Sequence, residues 1–349
     1  MHVTTHPLAY LQTGDLTPGN RLEDPDCHAI QASPFRPNSV APGHRACRGC
    51  GLLLAARVVM DAALAATNGK IIAVNATGCL EVVTTPYPQS AWGVPWMHSL
   101  FGNAPAVAAG IAASMRALHM EDIRVIAQGG DGATVDIGFG CLSGMFDRDD
   151  DVLYVCYDNE AYMNTGVQRS GATPRGARTA TTQAVGPQKG NPPGVGKNLP
   201  AIAMAHNVRY VATASVADVR DLESKVTAAM SHRGARYLHV LVPCPVGWGF
   251  DSELTVAMAR LAVETGLFPL FEALDGEVVT RTPLRHRLRV EEYLKPQKRF
   301  AHLFGDKGDP ATIAAIQAGA DLNITRLGLD TSAATGSTVD ASAVTSAAN

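Results

Sequence analysis

The sequence predicts an α/β fold, a doubly wound and mostly parallel sheet with helices on both faces. Three observations predict it. Short apolar runs that suit buried strands alternate with longer helical stretches from about residue 52 to residue 242, the rhythm of units whose parallel strands are joined by right-handed crossovers. One such run empties into Gly129, Gly130, Asp131 and Gly132, and the next, at 152–157, into Asp158, Asn159 and Glu160. Oxygen-bearing side chains thus gather where parallel strands end, which is where ligands bind such sheets. Third, a chain of 349 residues with 46% hydrophobic and 17% charged residues can bury a large core, as one big domain or two small ones.

In chain order, residues 1–41 are rich in Pro, His and polar residues without a helical or strand period and read as an irregular arm, with Cys27 a bystander in it. The main body is expected over 42–305. It opens on GHRACRGCG, with a helix over 52–68 and a strand over 71–74. The Pro- and Trp-bearing stretch that holds Trp96 and His98 reads as a packed loop, and 104–118 as a helix of small residues able to pack closely on a sheet or a subunit. A helix over 134–146 and a charged turn at 147–151 link the two strand ends named above. After Pro174 a run loaded with Gly, Pro, Thr and Lys reads as a functional loop over a cofactor or partner; Lys197 is a candidate anion contact there, a solvated lysine being the plainer reading. Helix, strand, helix and strand follow over 202–206, 209–213, 216–231 and 237–242, then a helix over 254–266, a hairpin-like region through Phe271 and Val279, and a short helix near 290–294. Residues 306–349 are expected to hold a helix at 309–318 and a low-complexity tail that cannot bury enough surface to order itself.

The glycines around Asp131 let backbone amides approach an anion closely, while Asp131 and the amide oxygen of Asn159 are hard ligands of the kind Mg²⁺ takes beside a phosphate. One site could hold a diphosphate through its metal. An isolated G-D-G is more often a surface turn, but here a second apolar strand ending in Asn follows one unit later. The cysteines add a second centre. Cys47 and Cys50 form a C-x-x-C at a helix start, Cys79 follows one strand in NATGCLEVV, and Cys244 follows another in HVLVPCPVGW. Strand ends on one edge are close in space, so the four can converge as thiolates for Zn²⁺ or a [4Fe-4S] cluster. The paired spacing of a zinc ribbon is absent, which favours iron and sulfur. Cys141, on a helix, and Cys156, inside a strand, read as small buried hydrophobes.

GGDG followed by DNEAYMNTG, together with ACRGCG, NATGCLEVV, AWGVPW, TPRG, PCPVGW and RLAVETG, resembles the beta subunit of 2-oxoacid:ferredoxin oxidoreductases of the pyruvate:ferredoxin oxidoreductase type. The resemblance runs from about residue 42 to about residue 303 and implies a thiamine-diphosphate-binding fold. It implies Mg²⁺ held by Asp131, Asn159 and the Ala161 carbonyl, a diphosphate met by Gly130, Gly132 and Ala133 with a hydroxyl from Thr165, and substrate contact by Asn164. It also implies that Cys47, Cys50, Cys79 and Cys244 hold a [4Fe-4S] cluster, that coenzyme A is a co-substrate, and that alpha, gamma and ferredoxin-like delta subunits are partners. The expected reaction is oxidative decarboxylation of a 2-oxoacid, pyruvate by default, to acyl-CoA and CO₂, with electrons passed singly to ferredoxin or another acceptor. Glu160 is an obvious candidate for a general base, but the glutamate that activates the cofactor resembles one supplied by another subunit. The family's pattern carries Glu where this chain has Gly102, which suggests extra room and a bulkier oxoacid such as phenylglyoxylate.

A net charge of −3 with scattered basic residues gives no electrostatic case for nucleic acid or an anionic membrane. No apolar stretch reaches the length of a membrane span, the N-terminus lacks an export-signal profile, and seven cysteines suit a reducing compartment, so a cytoplasmic location is expected. Two other functions fit parts of the pattern: a non-oxidative thiamine decarboxylase or synthase with a structural zinc, and a zinc-stabilised nucleotide-binding scaffold.

Overall fold

A computed structural model of the chain describes residues 38–86, 90–192, 194, 196–306 and 308–330. Cys27, most of the expected arm and the tail beyond residue 330 lie outside the described residues. The chain builds helix α1 (Gly51–Ala66), strand β1 (Ile71–Ala76), α2 (Cys79–Thr84), β2 (Trp96–Ser99), α3 (Ala104–Ala117), β3 (Arg124–Gly130), a π-helical turn (Gly132–Ile137), α4 (Phe139–Asp147) and β4 (Val152–Asp158). A short hairpin follows, β5 (Ala184–Val185) and β6 (Gln188–Lys189), then α5 (Leu199–Ala205), β7 (Tyr210–Ser215), α6 (Val219–Ser231) and β8 (Arg236–Leu241). The last part comprises α7 (Pro245–Trp248), α8 (Thr255–Glu264), β9 (Phe271–Leu274), β10 (Glu277–Arg281), α9 (Val290–Leu294) and α10 (Pro310–Leu327).

Eight strands form one sheet in the order β10-β9-β7-β8-β4-β3-β1-β2. From β7 to β2 every neighbouring pair is parallel, while β9 runs antiparallel to β7 and to β10. Both faces of a crossover sheet are covered by helices, so central strands read as unbroken apolar runs. β4 shows this directly: Leu153, Val155 and Tyr157 enter one core under α1 and α6, and Val152, Tyr154 and Cys156 enter the other under α3, α4 and α5. A third core gathers Trp248, Tyr293, Phe300, Ile316 and Ala320 beneath α7 to α10.

Four expectations need correction. Trp96 to Ser99, read as loop, pair with β1 as an edge strand, in parallel register with Ala73 to Ala76. The stretch after Pro174 carries the β5–β6 hairpin. The helix expected at 309–318 continues to Leu327, since Ile316, Ala320 and Ile324 form a buried stripe along it. Cys156 is buried as expected, but Cys141 is half-exposed on α4.

Candidate functional site

β1, β3, β4 and β8 are consecutive parallel neighbours, so their carboxyl ends share one edge of the sheet. Cys79 follows the first, Asp131 the second, Asn159 the third and Cys244 the fourth. One cleft at this edge is lined by Cys79, Gly130, Asp131, Gly132, Ala133, Asn159, Ala161, Asn164 and Thr165. Asn164 and Thr165 are exposed at its rim, and the Thr165 hydroxyl donates to Gln168 within its own turn.

Three carboxylates crowd beneath the cleft, and their partners differ. Asp158 lies 2.9 Å from His239 Nε2. Glu160 is paired with the buried Arg299 guanidinium, which makes it a tethered anion rather than a free base. Asp131 is 1% exposed and has a hydroxyl, that of Ser170, as its side-chain donor; among the described residues it has no cationic partner. Burial, and then the charge of Asp158, hold its carboxyl well above the usual carboxylate range.

The amide of Asn159 supplies the complementary observation. Its oxygen lies 2.8 Å from the Ala161 carbonyl oxygen and 3.0 Å from Asp131 Oδ1, three acceptors with no donor between them; exchanging the amide O and N would turn both approaches into donations. Oxygens at 2.0–2.1 Å from an octahedral Mg²⁺ stand about 2.9 Å apart, so the Asn159 oxygen stands from each of the other two at the spacing of adjacent ligands of such an ion. The donor set fits hard-cation chemistry. The backbone of Asn159 is fixed from below, where Trp248 Nε1 donates to its carbonyl at 2.8 Å and Arg299 stacks on the Trp248 ring at 3.9 Å.

The glycines shape the cleft by close approach. A Cβ on Gly132 would stand 2.4 Å from the Tyr162 ring, and one on Gly129 would stand 2.5 Å from the Tyr154 hydroxyl. Tyr162 thereby lies across the turn, donating to Gly132 O and Asp136 Oδ2 at 3.3 and 3.2 Å. The Thr134 hydroxyl bonds Gly130 O, and Gly138 N reaches back to Ala133 O, which closes the π-helical turn. Lys197, left open as an anion contact, is bound to Asp136 and the Val135 carbonyl. His98 bonds Thr77 and stacks beside Trp96 on the edge strand.

Cys47, Cys50, Cys79 and Cys244 are brought to the same edge. Burial, and then repulsion from Cys244, Cys50, Cys47 and Asp131, pushes the Cys79 thiol up to about 12. The Cys50 thiol rises to about 11, first through burial and also through Cys244 and Cys47. Cys244 is raised in the same way, burial first. Cys50 Sγ accepts from Leu53 N at 3.4 Å and Cys244 Sγ from Gly247 N at 3.3 Å, the kind of backbone donation that thiolate ligands receive. Among the described residues no group of three or more His, Cys, Asp or Glu side chains closes on a single ion. The thiols sit within one another's field.

Residues 76–240 match the model of the family "Thiamine pyrophosphate enzyme, C-terminal TPP binding domain". Pyruvate synthase subunit PorB of Methanosarcina barkeri is 49% identical over 286 residues, 82% of this chain and 95% of that protein. The chain belongs to the family of 2-oxoacid:ferredoxin oxidoreductase beta subunits. PorB of Methanothermobacter thermautotrophicus is 49% identical over 76% of this chain and 90% of its own, and ketoisovalerate oxidoreductase subunit VorB of Pyrococcus abyssi is 40% identical over 77% and 87%. In fold, the chain is similar to a solved 2-oxoglutarate:ferredoxin oxidoreductase from Magnetococcus marinus, with a TM-score of 0.51 at 22% identity, over 80% of this chain and 94% of that one. The α/β thiamine-diphosphate-binding fold expected from the sequence is the fold observed, and no helix among the described residues is long and apolar enough to cross a membrane.

Within this beta subunit, Gly102 does not open the room expected of it. A Cβ there would stand 2.9 Å from the Ile137 carbonyl oxygen, so the space beside the glycine is taken by the π-helical turn. The residues that sequence reasoning missed are those acting through others: Ser170 on Asp131, Trp248 on Asn159, Arg299 on Glu160 and Tyr162 over Gly132. TPRG follows Ser170 closely and PCPVGW ends on Trp248, but nothing in either string says which atom is reached.

Proposed function

We propose that this beta subunit carries the magnesium and thiamine-diphosphate half of a 2-oxoacid oxidoreductase site, with a [4Fe-4S] cluster beside it. The reaction is 2-oxoacid plus coenzyme A plus two oxidised one-electron acceptors, giving acyl-CoA, CO₂, a proton and two reduced acceptors, with pyruvate as substrate. Thiamine diphosphate supplies the carbanion that attacks the oxoacid and the ring that takes the electron pair left by CO₂. The observation that carries this reading is the buried, cation-less Asp131 with the Asn159 and Ala161 oxygens at magnesium spacing, one strand from thiols on either side.

In this reading Asp131, Asn159 and the Ala161 carbonyl hold the ion. The backbone of Gly130, Gly132 and Ala133 faces the diphosphate, Thr165 adds a hydroxyl at the rim, and Asn164 meets the substrate. Cys47, Cys50, Cys79 and Cys244 hold the cluster, a reading supported by four thiols that lie within one another's field at one sheet edge. Deprotonation of thiols raised to about 11 and 12 is driven by binding the metal itself. Glu160, tied to Arg299, positions rather than transfers a proton, so the base comes from an alpha subunit that covers the cleft. Gamma and ferredoxin-like delta subunits complete the electron path. PorB relatives at 49% identity favour pyruvate over bulkier oxoacids.

The test is made on the purified multi-subunit complex under anaerobic conditions. Cys79→Ala should abolish pyruvate-dependent reduction of an external acceptor, remove the electron paramagnetic resonance signal of one cluster, and leave thiamine diphosphate bound. Undiminished reduction rates, or zinc in place of iron in the wild type, would sink the assignment.

A further inference from the structure

Behind the metal-binding turn lies a second cavity, of about 300 Å³, at the lower end of the range for small-molecule pockets. Alternate residues of one short segment divide between the two spaces. Asn159 and Ala161 line the cleft, and Asp158 and Glu160 line the cavity. The cavity's body is apolar and partly aromatic, through Phe268, Phe271, Leu294 and Phe300. Its acidic members are already neutralised, Asp158 by His239 and Glu160 by Arg299. Of the arginine and lysine that line it, Lys197 is held by Asp136 and the Val135 carbonyl. Arg175 lines the cavity half-buried and has no hydrogen-bond or ion-pair partner among the described residues. The result is a chamber with a largely apolar body, its carboxylates paired, and one guanidinium left without a partner, the group that recognises a carboxylate in two-point fashion.

We propose that this cavity binds a small monocarboxylate with an aromatic or branched apolar body, and that its occupancy is felt at the metal site through the shared segment 158–161. A long acyl chain or a nucleotide exceeds the volume. A neutral apolar molecule leaves Arg175 without a partner. The binding half stands without the functional reading above; the coupling half rests on Asn159 and Ala161 being magnesium ligands.

The probe is phenylacetate, titrated calorimetrically into the purified complex without oxoacid, with phenylacetamide as its uncharged counterpart. Saturable binding of phenylacetate at one site per chain is expected. Arg175→Gln should weaken it about tenfold, roughly one charge-assisted contact, while leaving the weaker phenylacetamide isotherm unchanged, which also reports that the cavity is intact. Ala172→Leu, which narrows the cavity wall, should lose both. Saturating phenylacetate should change the apparent magnesium affinity at least about twofold, a population shift through the common segment. Absence of saturable binding, binding indifferent to Arg175→Gln, or displacement of the probe by pyruvate would overturn the site, and an unmoved magnesium affinity would overturn the coupling. Because the heat of probe binding needs no turnover, a complex inactive on pyruvate that still binds phenylacetate through Arg175 refutes only the functional reading. An active complex that does not bind it refutes only this site.

Discussion

Replacing Trp248 by Phe removes one N–H and keeps most of the ring. Trp248 is fully buried and its Nε1 donates to the Asn159 carbonyl at 2.8 Å, so the substitution leaves a buried acceptor unpaired at a cost of about 1–3 kcal/mol. The guanidinium of Arg299, 3.9 Å above the indole, also loses its better π partner, roughly 0.5–1 kcal/mol more. The total, about 1.5–4 kcal/mol, is divided between stability and metal affinity, because the unpaired group belongs to the backbone of a proposed magnesium ligand. Changes in partners that orient metal ligands commonly weaken metal binding about 10- to 100-fold, or about 1.4–2.7 kcal/mol, which overlaps that range. Magnesium-dependent binding of thiamine diphosphate, measured by calorimetry on wild-type and Trp248→Phe complexes, should show this weakening, and the gain in stability on adding both ligands should shrink accordingly. If the variant melts earlier yet binds magnesium within about twofold of wild type, Trp248 merely fills the core and the argument that it fixes Asn159 is refuted.

Two other substitutions and a pH series probe neighbouring contacts. Gly132→Ala places a Cβ 2.4 Å from a rigid Tyr162 ring, so urea unfolding should register an overpacking loss of about 1–3 kcal/mol and cofactor affinity should fall with it. Wild-type stability and affinity together would mean the turn yields freely. His302 has its pKa lowered, chiefly by burial, so the native state binds fewer protons there than the unfolded chain. Its contribution is present above the unfolded value of about 6.5 and lost as pH falls through that value toward the lower native one. The His302 Nε2 lies 3.2 Å from the Lys189 carbonyl oxygen, so hydrogen exchange over residues 184–191, corrected for intrinsic rates, should quicken below pH ~6.5 in wild type but not in His302→Gln. The effect should be well short of the limiting ~1.4 kcal/mol per pH unit, because the ring is half-exposed.

Much of the fold was legible because a strand covered on both faces leaves an unmistakable string, as 152–157 does, and because strand ends of a parallel sheet must share an edge. That rule alone gathers Cys79, Asp131, Asn159 and Cys244 from positions 165 residues apart between the first and last, 244 less 79. What escaped was short or indirect. Four residues of edge strand between a Pro-rich run and a helix carry no period of their own; Trp96 to Ser99 are a strand because β1 offers them partners. Gly102 looked like room because a glycine is small, yet what fills the space beside it is the Ile137 carbonyl, a backbone atom whose position depends on a π-helical turn that no residue string announces. Ser170, Trp248 and Arg299 reach the site from 39, 89 and 139 residues away, distances at which local sequence is silent.

The two edges of the sheet are charged in opposite senses. At the amino-terminal edge Arg124, Arg233 and Arg236 share Asp151 at 3.3, 2.9 and 3.0 Å. Several of their remaining donors go to carbonyls of Met230, His232 and Glu121, while the Nε atoms of Arg124 and Arg236 are buried without a hydrogen-bond partner, so the chain meets that edge's polar demand in part. At the carboxyl-terminal edge Asp158 and Glu160 have cations but Asp131 does not, and the buried thiols beside it repel one another once ionised. A buried unpaired carboxylate is costly, so the free chain should hold the 131–137 and 158–170 segments less tightly than the amino-terminal edge, and a bound divalent cation should repay that locally. Amide exchange with and without magnesium and thiamine diphosphate measures this directly: protection should rise over 131–137 and 158–170 and stay level over 232–236. A uniform rise across both edges would mean that ligand binding stabilises the domain as a whole, and that the asymmetry of charge does not set where its stability is lowest.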